Sequence, residues 1–239
     1  MNQIDPQNMI DGGLYLVSTP IGNLQDICQR AIAVLEAADI LLAEDTRTAS
    51  YLLKQFNIRK KLLSYYAYNE MKRLPQILHE LKQGKAVALI SEAGTPLISD
   101  PGHKLVMAAI QQEIPVIPIP GPAAFLTALV ASGLPTDRFV FEGFLPRKKG
   151  RNKVLQTLST ETGTIILYES AMRIQKTIED IVKIFGSRYI VIARELTKKF
   201  EEFIRGDAEE VLQILRNKKI KGEIVLLIAG TKFKPFSTQ

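Results

Sequence analysis

A chain of 239 residues, 46% of them hydrophobic, can bury the core of one large domain or of two domains of moderate size. Its apolar runs are too short to cross a bilayer, and residues 1–13 lack the basic start and apolar centre of a signal peptide, so we expect a cytoplasmic protein without a membrane span. A single cysteine excludes an internal disulfide, and a formal net charge of +6 permits a polyanionic partner without requiring one.

Segments rich in aliphatic residues predict strands, and most of them are separated by segments with helical periodicity. In chain order, the predicted strands cover 14–19, 40–43, 61–65, 86–91, 115–119, 139–145, 164–169, 189–195, 202–205 and 223–229. The predicted helices cover 26–39, 46–56, 71–83, 103–112, 123–131, 151–158, 171–185 and 208–217. This alternation is typical of α/β proteins whose sheets are covered by helices.

The proline-rich tract PVIPIPGP, at 115–122, lies near the middle of the chain and predicts a junction between two domains. We therefore expect two α/β domains, at 13–119 and 120–232, each with a largely parallel or mixed sheet covered by helices. A disordered leader at 1–12 and a tail at 233–239 would flank them.

Turn-forming and polar residues follow one predicted strand after another. STPIGN (18–23), AEDTRT (43–48), SEAGTPLISDPG (91–102) and PGPAA (120–124) follow strands of the first half, and YESAMR (168–173) and ARELTK (193–198) follow strands of the second. Open α/β sheets bind ligands at the carboxyl ends of their strands, so these segments predict a binding site. Their small residues allow close backbone approach to a compact ligand, although Gly and Pro are also ordinary turn residues.

Several other kinds of site are disfavoured. The chain has no G-x-G-x-x-G, no G-x-x-x-x-G-K-[ST] and no G-x-S-x-G segment, which weakens a dinucleotide-fold dehydrogenase, a P-loop nucleotidase and a serine hydrolase. Two histidines and one cysteine cannot supply a typical zinc site, so we expect no metal.

Seven distinctive segments occur once each, in this order, between about Gly13 and Gly230: LYLVSTPIGNLQDI, LLAEDTRT, ALISEAGTPLISDPG, PIPGPAAFLTAL, FLPRKKGRN, ARELTKKFEE and GEIVLLIAG. Together they resemble the ribosomal RNA small subunit methyltransferase I family, which belongs to the tetrapyrrole methylase-like (class III) S-adenosylmethionine enzymes. YESAMR departs from the family, which often has Pro-His where this chain has Ala171 and Met172. The resemblance implies a cofactor cleft between two α/β domains, a homodimer, and 2′-O-methylation of a cytidine in the decoding region of small-subunit (16S) ribosomal RNA.

The resemblance and the small residues at the strand ends together predict which residues bind S-adenosylmethionine. They are Pro20, Ile21, Gly22, Glu92, Ala93, Gly94, Thr95, Ile98, Ser99, Asp100, Gly121, Pro122, Ala123, Ala124, Tyr168, Arg194 and Gly230. Tyr168 would close the cleft from the second domain; the alternative is a core tyrosine at a strand end.

A ribose hydroxyl is a poor nucleophile, so a base or a polarising cation should lie near it. The candidates are Glu44, Asp45, Arg47, Glu92, Asp100, Arg194, Glu195 and Lys198. We favour Asp45 and Arg47 on the acceptor side and choose no single base. As alternatives, Asp45 could cap the helix that begins at Thr46, and Arg194 could pair with Glu195 across the domain interface.

The segment LPRKKGRNK predicts an RNA-binding loop, because five cations occur within seven residues: Arg147, Lys148, Lys149, Arg151 and Lys153. A solvated basic loop is the alternative, and the tracts 59–61 and 218–221 are expected to be solvated turns.

Two other functions remain open on the sequence. One is methylation of a tetrapyrrole, such as a porphyrin or corrin precursor, by the same fold, although STPIGN differs from the Gly-rich acidic turn of those enzymes. The other is a non-catalytic RNA-binding assembly factor, although the SEAGTP and PGPAA turns are intact.

Overall fold

The computed structural model describes residues 10–218 and 220–234. It divides into two compact units, one ending at Ala123 and the other beginning at Ala124. The predicted leader and tail lie outside the described residues, apart from 10–12 and 233–234. No helix of the described ranges is long and apolar enough to cross a membrane.

The first unit is a parallel sheet covered on both faces. Its elements are β1 (Gly13–Val17), α1 (Gln29–Ala37), β2 (Ile40–Ala43), α2 (Thr46–Gln55), β3 (Leu62–Ser64), α3 (Glu70–Lys82), β4 (Ala86–Ile90), α4 (His103–Gln111) and β5 (Val116–Ile119). The strand order is β3-β2-β4-β1-β5, with every neighbouring pair parallel. All carboxyl ends therefore meet at one edge of the sheet.

Successive residues of the central strands enter different cores, which explains their continuous apolar sequence. Leu14 of β1 packs with α3 and α4, whereas its neighbour Tyr15 packs with α1 and α2. At the edge of the sheet, β5 contains Pro118, whose carbonyl oxygen accepts a hydrogen bond from Arg30 Nη2 at 3.1 Å.

The second unit has a mixed sheet. Its elements are α5 (Ala124–Val130), β6 (Phe139–Phe144), α6 (Arg151–Leu158), β7 (Thr164–Ser170), α7 (Ile174–Phe185), β8 (Tyr189–Arg194), β9 (Glu202–Asp207), α8 (Ala208–Asn217) and β10 (Glu223–Ile228). The strand order is β6-β7-β10-β8-β9, and only the β6–β7 pair is parallel.

A single hairpin reverses the chain direction in the second unit. The turn at 195–201 joins β8 to β9 as antiparallel neighbours, and α8 then returns the chain to β10 in the direction of β9. One face of the sheet buries an aliphatic core against α6, α7 and α8, while α5 packs against β7 and β10.

Candidate active site and nucleic-acid interface

The loops that follow β1 and β4 are joined by backbone hydrogen bonds at the carboxyl edge of the first sheet. Thr19 N donates to Gly94 O at 2.9 Å, and Gly94 N donates to Thr19 O at 3.1 Å. Since β4, β1 and β5 are adjacent strands, the bridge lies beside the loop that follows β5. The structure thus brings together three of the predicted segments, 18–23, 91–102 and 120–124.

Small hydroxyl side chains extend this connection to all three loops. Thr95 Oγ1 donates a hydrogen bond to Pro122 O at 3.0 Å. The same oxygen accepts a hydrogen bond from Ser18 Oγ at 3.2 Å. Ser91 Oγ donates to Gly94 O at 2.6 Å within the β4 loop. These bonds fix the relative position of the three loops before any ligand binds.

Glycine is required where the loops approach each other. A Cβ atom at Gly121 would lie 2.7 Å from Ser18 Cβ, and one at Gly94 would lie 3.3 Å from Ile21 Cγ2. Gly94 also has φ of +92°, a conformation that L side chains rarely adopt. These glycines therefore serve loop packing, in addition to the close ligand approach that the sequence predicts.

The β4 loop also contains two non-glycine residues with left-handed backbone conformations. Leu97 has φ of 70° and Ser99 has φ of 65°. Such conformations are uncommon outside glycine and are concentrated at functional sites, where the surrounding structure has to stabilise them.

A buried carboxylate that the sequence analysis missed anchors the end of this loop. Glu70, the first residue of α3, accepts hydrogen bonds at Oε1 from Tyr65 Oη at 3.1 Å and from Gly102 N at 3.2 Å. Its Oε2 lies 3.3 Å from Lys104 Nζ. The available signal was a tyrosine at the end of a predicted strand with a glutamate five residues later, which is weak without the fold.

Three carboxylates lie near one another at the ends of β2 and β4. Burial, followed by the negative charges of Glu44 and Glu92, raises the pKa of Asp100 to about 6. Asp100 and Glu44 line a small cavity together with Tyr65 and Pro96. A pKa near 6 suits Asp100 to acid–base chemistry near neutral pH.

Asp45 is the N-cap of α2, as the alternative interpretation of the sequence held. Its Oδ1 accepts from Arg47 N at 2.8 Å, and its Oδ2 lies 2.6 Å from Arg47 Nη2. Hydrogen bonds from the Arg47 side chain and backbone lower the pKa of Asp45 to about 2. A carboxylate with so low a pKa is a poor base, which disfavours Asp45 among the candidate bases, and its place on the acceptor side stays a prediction.

A second pocket of the first unit is lined by several predicted residues and by the start of α2. Its lining includes Pro20, Gly22, Glu92, Thr48 and Tyr51. Ile21 is buried beneath Gly94, whereas Ala93, Ser99 and Gly121 are exposed at the edge.

The cofactor residues predicted in the second unit lie at two opposite edges of its sheet. Tyr168 near the end of β7 and Arg194 at the end of β8 share one edge of the sheet, because β7 and β8 both run antiparallel to β10. Gly230 follows the end of β10 and so lies at the opposite edge, where a Cβ atom would be 2.0 Å from Thr162 O. Gly230 is therefore required for packing, and we withdraw it from the cofactor residues.

Arg194 and Tyr168 are both engaged within the second unit. Arg194 Nε donates to Glu202 Oε2 at 2.8 Å, and its Nη1 donates to Lys221 O at 3.1 Å. The Tyr168 ring lies 5.0 Å from the Phe141 ring, measured between centroids. Glu195 Oε1 lies 3.1 Å from Lys198 Nζ, and this ion pair also lies within the second unit.

The basic loop, defined as residues 146–150 between β6 and α6, exposes Arg147, Lys148 and Lys149. Lys153 is also exposed, on the first turn of α6. Arg151 is different: it is only 9% exposed, and its guanidinium donates to Asp180 and Thr177. Its charge is used inside the unit, so the prediction that Arg151 contacts RNA is wrong.

Comparison with known proteins identifies the family of this chain. The family model for Tetrapyrrole (Corrin/Porphyrin) Methylases matches residues 13–212. The chain is 49% identical to the ribosomal RNA small subunit methyltransferase I of Halalkalibacterium halodurans, over 92% of this chain and 76% of that protein. It is 46% identical to the protein of the same name from Thermotoga maritima, over 92% of this chain and 99% of that protein.

The chain belongs to the ribosomal RNA small subunit methyltransferase I family. This confirms the resemblance seen in the sequence and makes the protein a methyltransferase. Among solved structures, diphthine synthase is similar in fold, with a TM-score of 0.70 and 14% identity over 90% of this chain and 89% of that one. The methyltransferase family thus shares its two-sheet architecture with proteins of very different sequence.

Proposed function

We propose that this protein transfers the methyl group of S-adenosylmethionine to the 2′-hydroxyl of a cytidine in the decoding region of 16S ribosomal RNA. The observation that carries the proposal is its 46–49% identity to relatives named ribosomal RNA small subunit methyltransferase I, over more than nine-tenths of its length. We further propose that it acts as a homodimer in the cytoplasm, where its RNA substrate is made.

The three joined loops of the first unit fit a compact methyl donor. Four small residues of these loops are exposed, Gly22, Ala93, Ser99 and Gly121, and the hydrogen bonds between the loops keep that surface fixed. The residues that we propose for this surface are Pro20, Ile21, Gly22, Glu92, Ala93, Gly94, Thr95, Ile98, Ser99, Gly121, Pro122 and Ala123. Ala124, Tyr168 and Arg194, in the second unit, stay predictions.

S-Adenosylmethionine, when bound, supplies an electrophilic methyl carbon on a sulfonium. The acceptor hydroxyl would give up its proton as its oxygen took the methyl group in place of the sulfur, so a base of this chain would be needed beside it. We propose that Asp100 takes this proton, because its pKa of about 6 leaves it ionised at neutral pH while keeping it a stronger base than Asp45. The fixed loops would contribute by holding the reacting groups in line.

For the RNA, we propose that Arg147, Lys148, Lys149 and Lys153 contact phosphates. All four side chains are exposed, and a cluster of cations on one loop releases counterions when it binds a polyanion. Arg47, which is 91% exposed beside Asp45, remains a further candidate on the acceptor side.

A transfer assay tests the proposal and its main alternative together. The purified protein would be incubated with labelled S-adenosylmethionine and, as competing acceptors, 16S ribosomal RNA, assembled small subunits and a uroporphyrinogen-type tetrapyrrole. We expect label only in RNA, at the ribose of one cytidine when the product is mapped. Label in the tetrapyrrole would contradict the proposal, and RNA binding without any cofactor binding would favour an assembly factor.

A further inference from the structure

We propose that a network of the buried residues Glu169, Thr177 and Arg151 and the half-buried Arg173 positions the basic loop for contact with RNA phosphates. The inference rests on the proposed function, because it takes the basic loop as part of the RNA surface. None of the four side chains needs to touch RNA. They are positioning residues that act through the backbone of the loop.

The network begins at a carboxylate in the YESAMR segment. Glu169 is 2% exposed, and its Oε2 accepts a hydrogen bond of 2.7 Å from Thr177 Oγ1. Thr177, which is fully buried, accepts in turn from Arg151 Nη2 at 2.8 Å. The other oxygen of Glu169, Oε1, lies 3.4 Å from Arg173 Nε. One carboxylate therefore orients two guanidinium groups, one directly and one through a hydroxyl.

Both arginines contact backbone carbonyl groups where the chain enters the basic loop, one on Leu145, directly before the loop, and one on Pro146. Arg173 Nη2 donates to Leu145 O at 3.0 Å, and Arg151 Nη1 approaches Pro146 O at 3.4 Å. The backbone of Arg151 adds a third bond, from its N–H to Lys148 O at 3.3 Å. The loop backbone is thus held from the protein side, and the side chains of Arg147, Lys148 and Lys149 are left exposed to solvent.

The charges of this network are balanced, which explains how it can be buried. Arg151 Nε also donates to Asp180 at 3.0 Å, so two arginines face two carboxylates. Burial alone would raise the pKa of Asp180. The hydrogen bonds from Arg151 and Lys176 have the larger combined effect, so the pKa of Asp180 lies below its ordinary value. Buried charges require this degree of pairing, because an unpaired one carries a large desolvation cost. Planar guanidinium groups suit the arrangement, since each one donates in several directions at once.

Such a network matters for binding because it reduces the cost of ordering the loop. Exposed lysine and arginine side chains on a mobile backbone lose conformational freedom when they bind phosphates, and a fixed backbone removes part of that loss. Gly150, with φ of +85°, then turns the chain directly into α6. This gives the glutamate of YESAMR a function that the sequence analysis did not assign.

Thr177→Val tests the inference with a small change of shape, because it removes only the hydroxyl between Glu169 and Arg151. Thr177→Ser restores the hydroxyl and should restore wild-type behaviour. Thr164→Val is the matched control: Thr164 is also fully buried in the second unit, but its Oγ1 donates to Pro135 O at 2.7 Å, away from the basic loop. A general loss of stability should affect both valine variants alike.

Two measurements report on the loop itself. Limited trypsin digestion, followed by mass spectrometry, gives the cleavage rate after Arg147, Lys148 and Lys149. RNA filter binding gives the affinity over a salt series. For Thr177→Val we expect clearly faster loop cleavage and RNA affinity weaker by about tenfold or more, because both hydrogen bonds of the hydroxyl to charged groups, Glu169 and Arg151, are lost. S-Adenosylmethionine affinity, and kcat at saturating RNA, should be unchanged.

The outcomes separate this inference from the proposed RNA surface. Wild-type cleavage and RNA affinity in Thr177→Val, or equal effects in Thr164→Val, would overturn the positioning role. Faster cleavage with unchanged RNA affinity would also overturn it, since the loop would then be held for another reason. Serine at Arg147, Lys148 and Lys149 tests the surface independently: if RNA binding survives that change, the RNA surface itself was wrongly assigned.

Discussion

Glu70 Oε1 lies 3.2 Å from the backbone nitrogen of Gly102, at the end of the longest loop of the first sheet. Because the same carboxylate binds Tyr65 and Lys104, it fixes the point at which the β4 loop turns into α4. Leu97 and Ser99 adopt left-handed conformations within that loop. Loop geometry and cofactor affinity should therefore depend on a residue that we do not place in contact with the cofactor.

Glu70→Gln should weaken S-adenosylmethionine binding by about tenfold and lower the free energy of unfolding by about 2 kcal/mol, because a buried charge-assisted network loses its charge. Isothermal titration and urea unfolding measure the two effects. Glu80→Gln is the control, since Glu80 lies on the same helix and pairs with Lys85. Equal cofactor affinity in both variants would show that the anchor has no influence on the site.

Gly94→Val should abolish cofactor binding in a folded protein, because a branched side chain would press on Ile21 and occupy the surface between the loops. Gly84→Val is a matched control: Gly84 has φ of +78°, similar to that of Gly94, but a Cβ atom there would meet no neighbour within 4 Å. Both variants carry backbone strain, so only loss of binding specific to Gly94→Val supports the assignment.

Asp100 should make both activity and stability depend on pH. Its folded pKa of about 6 lies above the ordinary 3.8, so protonation favours the folded state; this contribution is complete below about pH 4 and is lost as the pH rises through 6. Asp100→Asn should therefore be more stable than wild type by about 1 kcal/mol at pH 7.5, and the difference should shrink toward pH 5. Thermal unfolding across this pH range measures it, with the exposed Asp26→Asn as control.

The same substitution tests the proposed base. Wild-type kcat/KM should fall about tenfold per pH unit below 6, and Asp100→Asn should lose about 10²- to 10⁴-fold while still binding S-adenosylmethionine. A variant that keeps wild-type kcat would assign the proton to another group.

Serine at Arg147, Lys148 and Lys149 should reduce the slope of log K against log salt by about 2 to 3, because each phosphate contact contributes about 0.7 to 0.9. Serine at Arg59, Lys60 and Lys61 removes the same charge from a tract expected to be a solvated turn. If the two triple variants lower the slope equally, only net charge matters and the basic loop has no specific role.

The strands and helices could be predicted because their signals are local. β2, α6 and α8 begin and end as predicted, and α7 begins three residues late because Ala171–Arg173 form a turn in which Arg173 N donates to Ser170 O. The position of Gly230 could not be predicted, since it depends on the direction of β10. That direction follows from one hairpin, 195–201, and the insertion of β10 between β7 and β8.

The candidate site could be predicted where small residues follow strands. It could not be predicted where a charged side chain can be either exposed to water or buried and paired. Arg151 and Lys149 are indistinguishable in a run of cations. What separates them is Thr177 and Asp180, which are distant in sequence and reach Arg151 only across the helix pair α6 and α7. The role of Asp45 could not be decided from the sequence for a related reason, because a helix cap and a catalytic base both require a carboxylate at that position.

Pro118 has a consequence for how the first unit meets other chains. In β5 the carbonyl groups of Pro115 and Ile119 accept from β1, so the alternate residues Val116 and Pro118 direct their backbone groups outward. Pro118 has no N–H to offer, and its carbonyl is already bound by Arg30. An incoming strand would find only Val116 to pair with, which is too little to start a ladder. The β5 edge of this sheet is thereby closed to strand addition, which is one common route to aggregation.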